Sequence, residues 1–141
     1  MRLRVHPKAI AKMKSKVREH TQRNNGYGNE KRIDKLKRYI RGWINYFKIA
    51  DMKQLVIRTD EWMRRRIRVV YWKQWKKIKT KYRMLKHYGI NEWKAWEYAN
   101  TRKGYWRISN SPILSRSLGN QTLKELGYLF FTDYYRQVSV N

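Results

Sequence analysis

The stretch DMKQLVIRTDEWMRRRIRVVYWKQWKKI, residues 51–78, predicts one long helix with two faces of opposite character. At about 100° per residue, Met52, Val56, Thr59, Met63, Ile67, Val70 and Ile78 share a sector roughly 100° wide, the stripe a helix buries. Around the rest of the wheel, as far as the edge of that stripe, come Arg65, Arg66, Lys73, Lys76 and Lys77, with Trp62, Val69 and Trp72 among them. A solvated face has little use for large indoles between cations. A nucleic-acid surface does, because cations meet phosphates and aromatic planes stack on bases. Asp51 with Gln54 three residues on resembles a capping pair, and no Gly or Pro interrupts the run, so a single continuous helix is expected.

Composition narrows the partner. The chain has 141 residues, with 35 Lys and Arg against 10 Asp and Glu, a net charge of +25 and a pI near 10.6. Such a surplus favours a polyanion. From Ser117 onward the charged residues Lys124, Glu125, Asp133 and Arg136 cancel, so the excess lies in residues 1–116 and the tail reads as a packing element. A hydrophobic content of 41% with 15% aromatics is too high for a disordered basic tail. No apolar run is long enough to span a bilayer and the opening lacks a secretory core, so a soluble, cytoplasmic protein with no membrane partner is expected. Zero cysteines exclude disulfides and thiolate zinc sites. His6, His20 and His87 lack ligand spacing and read as surface or capping residues.

Outward from the central helix the chain reads as helical throughout. Pro7 opens a helix over 7–21 with Ile10, Met13, Val17 and Thr21 on one face. RNNGYGN, residues 23–29, is a loop. A helix over 30–49 follows, with Ile33, Leu36, Ile40, Trp43, Ile44 and Phe47 at helical spacing, and is expected to be the main partner of the 51–78 helix. Gly42 inside it calls for a reason, such as close approach of another backbone or of a ligand. Thr80 and Gly89 bracket a helix, and Asn91 caps the next, whose Trp93, Trp96 and Tyr98 are expected in the core. In TRKGYWRIS, residues 101–109, Arg102, Lys103 and Arg107 surround Tyr105 and Trp106, a second interleaving of cations and aromatics. Short helices start at Ser111–Pro112 and at Asn120, ending at Gly119 and Gly127. The aromatic, β-branched tail predicts a short strand or an extended flap. The expected fold is thus an all-α helical bundle around one long basic amphipathic helix, with short C-terminal helices and an aromatic tail.

The candidate RNA-binding residues are Trp62, Arg65, Arg66, Trp72, Lys73, Lys76, Lys77, Arg102, Lys103, Tyr105, Trp106 and Arg107. Catalytic and metal-binding candidates are absent. The acids are scattered, adjacent Asp60 and Glu61 do not share a helix face, and no phosphate-cradling loop, nucleophile elbow or zinc-binding helix motif occurs. No cofactor is expected.

Five strings, RGWINYF (41–47), DEWMRRRIR (60–68), WKQWKK (72–77), ANTRKGYWRISNSP (99–112) and LKELGY (123–128), resemble in order and spacing the maturase-specific domain, also called domain X or thumb, of group II intron-encoded reverse transcriptases. The opening PKAIAKMKSKVREHTQRNNG is similar to the segment joining palm to thumb. The resemblance implies residues 1–29 as that connection and 30–141 as the maturase-specific domain, the C-terminal part of a longer protein. It further implies an RNA-binding domain that holds the intron, assists its folding and splicing, and grips a template–primer duplex. A reverse-transcriptase palm, in cis or in trans, is the further implied partner. The sequence departs from the full pattern in lacking the palm with its Tyr-x-Asp-Asp motif, which FTDYY at 131–135 is not, and the cysteine-bearing endonuclease. Polymerisation by this chain is therefore not expected. Two competing readings stay open: a general basic RNA- or DNA-binding domain, and a metal-dependent nuclease using Asp60, Glu61 or Glu92.

Overall fold

The computed structural model describes residues 3–139, and among these every regular element is helical. The helices are α1 (Pro7–His20), α2 (Asn29–Phe47), α3 (Lys53–Gln74), α4 (Ile78–His87), α5 (Glu92–Ala99), α6 (Tyr105–Ser109), α7 (Pro112–Ser117), α8 (Asn120–Glu125) and α9 (Phe131–Val138). They form two compact units, one taking the chain up to Met63 and again from Gly127, the other Arg64–Leu126. The long helix α3 thus contributes its first half to one unit and its second half to the other. Among the described residues, no helix is long and apolar enough to cross a membrane.

In the first unit, Pro7 stands in the first turn of α1 and the His6 side chain caps it by accepting from Lys8 N at 3.1 Å. Met13 and Val17 of α1, Leu36, Ile40, Trp43 and Ile44 of α2, and Met52, Val56 and Met63 are buried, as the periodicity requires. The closest helix to α2 is α9 rather than α3. Trp43 meets Phe131 edge-on at 5.8 Å between ring centroids, and Asn45 Nδ2 donates to Tyr134 Oη at 2.9 Å. The tail is therefore a helix and not the expected strand or flap. The cause is Asp60, whose buried carboxylate accepts from the backbone N–H of Phe131 at 2.8 Å and of Thr132 at 2.9 Å. An aspartate on α3 caps α9, satisfying two donors that a helix start leaves open. Tyr135 Oη then donates to Ala50 O at 2.9 Å. Gly127, at φ +111°, a backbone conformation that favours glycine, turns the chain into this segment beside Ile33. Gly42, by contrast, faces open space, so among the described residues no other backbone approaches it closely.

In the second unit, α3 ends at Gln74, and Lys77 turns to extended backbone (φ −89°, ψ 150°) before α4 begins at Ile78. The continuous 51–78 helix is thus two helices, and Ile78, expected on the buried stripe, is 48% exposed. Thr80 lies inside α4 instead of capping it. α4 and α5 form a tightly packed hairpin around Leu85, Ile90, Ala95 and Ala99, with Asn91 capping α5 through Lys94 N as expected. Ser111 caps α7 by accepting from Leu114 N, and Gly119 serves as the cap of α8.

Candidate nucleic-acid interface

The geometry of the second interleaved segment starts with Arg65 of α3. Its Nε donates to Ser109 Oγ at 3.1 Å, its Nη2 donates to Trp106 O at 2.8 Å, and its guanidinium lies 3.8 Å from the centroid of the Trp106 ring. A planar fork that can hydrogen-bond in its own plane while stacking on an indole is a guanidinium property, and a lysine cannot copy it. Ser109 Oγ also donates to Trp106 O, at 2.5 Å, closing the knot. Arg65 therefore clamps α6 to α3. Two of its three guanidinium nitrogens are engaged in positioning that helix.

What the clamp holds outward is the rest of the predicted cluster. Arg102, Lys103 and Arg107 are exposed, and so are Tyr105 at 37% and Trp106 at 44%. Thr101 Oγ1 accepts from Lys103 N at 3.2 Å and shapes the turn into α6. Three cations and two aromatic faces thus share one short, locally braced segment. Cationic contacts to phosphate with bases stacked on rings are the chemistry such a surface offers.

The other predicted residues separate. Trp72 is 2% exposed, packed edge-on against Trp75 at 6.0 Å with the Lys81 ammonium 4.8 Å over its ring, so it is core rather than surface. Val69, placed with it off the apolar stripe, is buried as well. Arg66 and Lys73 are half-buried. Lys76 and Lys77 are exposed, but in the turn between α3 and α4 rather than on a helical face. Trp62 belongs to the first unit, half-buried with the Arg18 guanidinium 5.4 Å from its ring centroid. Arg68, which the sequence did not single out, is 9% exposed with Nε donating to Leu118 O at 2.8 Å, a buried structural cation. Burial, and then the charge of Arg64, lower its pKa to about 10, which still leaves it protonated at neutral pH.

Trp93 and Trp96 are the misplaced pair. Expected in the core, they are 77% and 42% exposed, and Tyr98 is only half-buried. The signal that finds them is Ala95 with Ala99, four apart on a separate face of α5, about 110° round from the midpoint of Trp93 and Trp96. Small side chains bury where two helices approach closely, and α4 approaches here.

The carboxylates weighed for a nuclease are engaged elsewhere or lie open. Both oxygens of Asp60 cap α9, Glu92 accepts from Tyr82 Oη at 3.2 Å, and Glu61 is exposed. Among the described residues, no three His, Asp or Glu side chains are grouped to hold a metal ion. Replacing Asp60 by Asn should cost about 1–3 kcal/mol, since a charged acceptor to one buried and one part-buried N–H group becomes a neutral one with a single acceptor atom. Chemical denaturation measures it, and an unchanged midpoint would show that α9 needs no cap.

No curated protein matches the chain. The family model of the group II intron maturase-specific domain matches residues 10–89, from α1 through the two residues after α4. That span exceeds half the chain and contains the expected α3 stripe. It stops short of the clamped 102–107 segment. On this match, and with an all-helical basic fold beneath it, the chain belongs to the group II intron maturase-specific domain family.

Proposed function

We infer that this chain binds group II intron RNA and assists its folding and splicing, without a catalytic centre of its own. The family match gives the maturase relationship. The observation that carries RNA contact is the exposed Arg102–Arg107 segment, with Tyr105 and Trp106 presented beside three cations by the Arg65 clamp. The chemistry of splicing then belongs to the RNA, and the protein supplies positive charge and stacking surfaces. In this reading residues 1–29 are the connection from a reverse-transcriptase palm, in cis or in trans, residues 30–141 are the thumb that also contacts a template–primer duplex, and the protein works in the cytoplasm.

Competition between a group II intron and an unrelated structured RNA of equal length tests it. Bare electrostatics binds both alike, so a preference of about tenfold, or 1.4 kcal/mol, that persists as salt rises is the expected result. Equal affinity at every salt concentration would leave a general basic domain. Magnesium-dependent cleavage of either RNA would favour the nuclease. On a primed template no nucleotide incorporation is expected, and incorporation surviving replacement of Asp60 and Glu61 would overturn the non-catalytic reading.

A further inference from the structure

The α4–α5 hairpin carries a second aromatic and cationic surface, apart in sequence from the clamped segment and unused by it. Tyr82 and Trp96 stack with centroids 3.9 Å apart and planes 16° from parallel, which joins the two helices at their outer edge. Trp93, three residues before Trp96 and so on the same side of α5, is 77% exposed, more than any other tryptophan. On α4, Lys79, Arg83 and Lys86 stand at i, i+4 and i+7, one row about 60° wide, and all three are exposed. Tyr82 lies beside that row, with the Lys86 ammonium 5.4 Å from its ring centroid.

The local acids do not cancel this charge. Glu97 is paired with Lys94 at 3.3 Å, and Glu92, which accepts from the neutral Tyr82 Oη, sets one negative charge against the three cations of the row. The unit from Arg64 to Leu126 holds 17 Lys and Arg against 3 Glu, hence +14. A bare indole on a neutral surface would suit an apolar protein partner. Beside a row of exposed cations, it suits a chain whose charges are negative and whose apolar faces are flat.

We propose that the outward face of the α4–α5 hairpin is a subsite for single-stranded RNA, resting on the RNA-binding reading given above: Trp93 and Trp96 stack unpaired bases, and Lys79, Arg83 and Lys86 hold the phosphates beside them. Duplex RNA uses only the cations, because its bases are already stacked on one another. The subsite therefore distinguishes unpaired from paired RNA.

The test uses the full chain with a labelled 12-nucleotide oligouridylate and an RNA duplex carrying the same number of phosphates. Trp93→Ala should weaken oligouridylate binding about tenfold and leave duplex binding unchanged. Trp93→Phe, which keeps a ring, should recover most of the loss. Because Trp93 is exposed, both variants should keep the wild-type circular dichroism. Equal losses on the two RNAs, or no loss on either, would overturn the subsite. So would concentration-dependent self-association of the wild type that Trp93→Ala abolishes, since the face would then dock a second copy. A preference for intron RNA that survives while Trp93→Ala does nothing sinks the subsite alone. A Trp93→Ala loss confined to oligouridylate, with no intron preference, keeps the subsite and sinks the intron reading.

Discussion

Replacing Trp43 by alanine should lower stability by about 3–5 kcal/mol and the melting temperature by on the order of 10–20 °C. Trp43 is 8% exposed, stacks obliquely on Phe47 at 4.7 Å and meets Phe131 edge-on at 5.8 Å, so truncation empties a site between α2 and α9. The neighbours cannot collapse into that space freely, because Asp60 and Tyr135 fix α9 from the other side. Trp43→Phe should recover much of the loss, since a smaller ring still reaches Phe131. A chain whose melting temperature is unmoved by Trp43→Ala would not have α2 and α9 packed through this side chain.

The elements that were legible are those whose signal is local. α1 and α2 follow from apolar spacing alone, and their buried faces match it residue by residue at Met13, Val17, Leu36, Ile40, Trp43 and Ile44. The caps at Asn91 and Ser111 were readable because a cap and its acceptor geometry lie within four residues. α9 was not readable, for the converse reason. Its cap is Asp60, 71 residues earlier, and without it an aromatic and β-branched tail has the composition of a strand.

The second half of α3 misled for a different reason. Every residue from Ile67 to Trp72 is buried, and six consecutive helical positions cover the whole circumference of the wheel. A two-faced reading fails on a helix segment enclosed on all sides. It put Trp72 and Val69 on a surface that does not exist there, and it ran the helix past Gln74 because no Gly or Pro marks the turn. The candidate site was legible where cations and aromatics interleave at 102–107. The role of Arg65 was not, since its partners Trp106 and Ser109 lie more than 40 residues away.

That difference between ligand and clamp fixes what the binding variants should do. Replacing Arg102, Lys103 and Arg107 together by Gln should make the slope of log affinity against log salt shallower by about 2–3, as each lost phosphate contact removes roughly 0.7–0.9. Raising salt from 50 to 200 mM would then cost the wild type roughly 20- to 40-fold more affinity than the variant. All three side chains are exposed, so helicity and melting temperature should not change. Arg65→Lys should behave oppositely. It keeps the charge, so the salt slope stays near the wild-type value, but it loses the fork to Trp106 O and Ser109 Oγ and the stacking on the indole. Affinity should fall at every salt concentration by a similar factor, with increased protease sensitivity between Thr101 and Asn110 as the segment loosens. Titrations of intron RNA at four or more salt concentrations separate the two cases. If instead Arg65→Gln lowers the slope by about one while the triple variant leaves it untouched, phosphate is held on α3 itself and the 102–107 segment is not the interface.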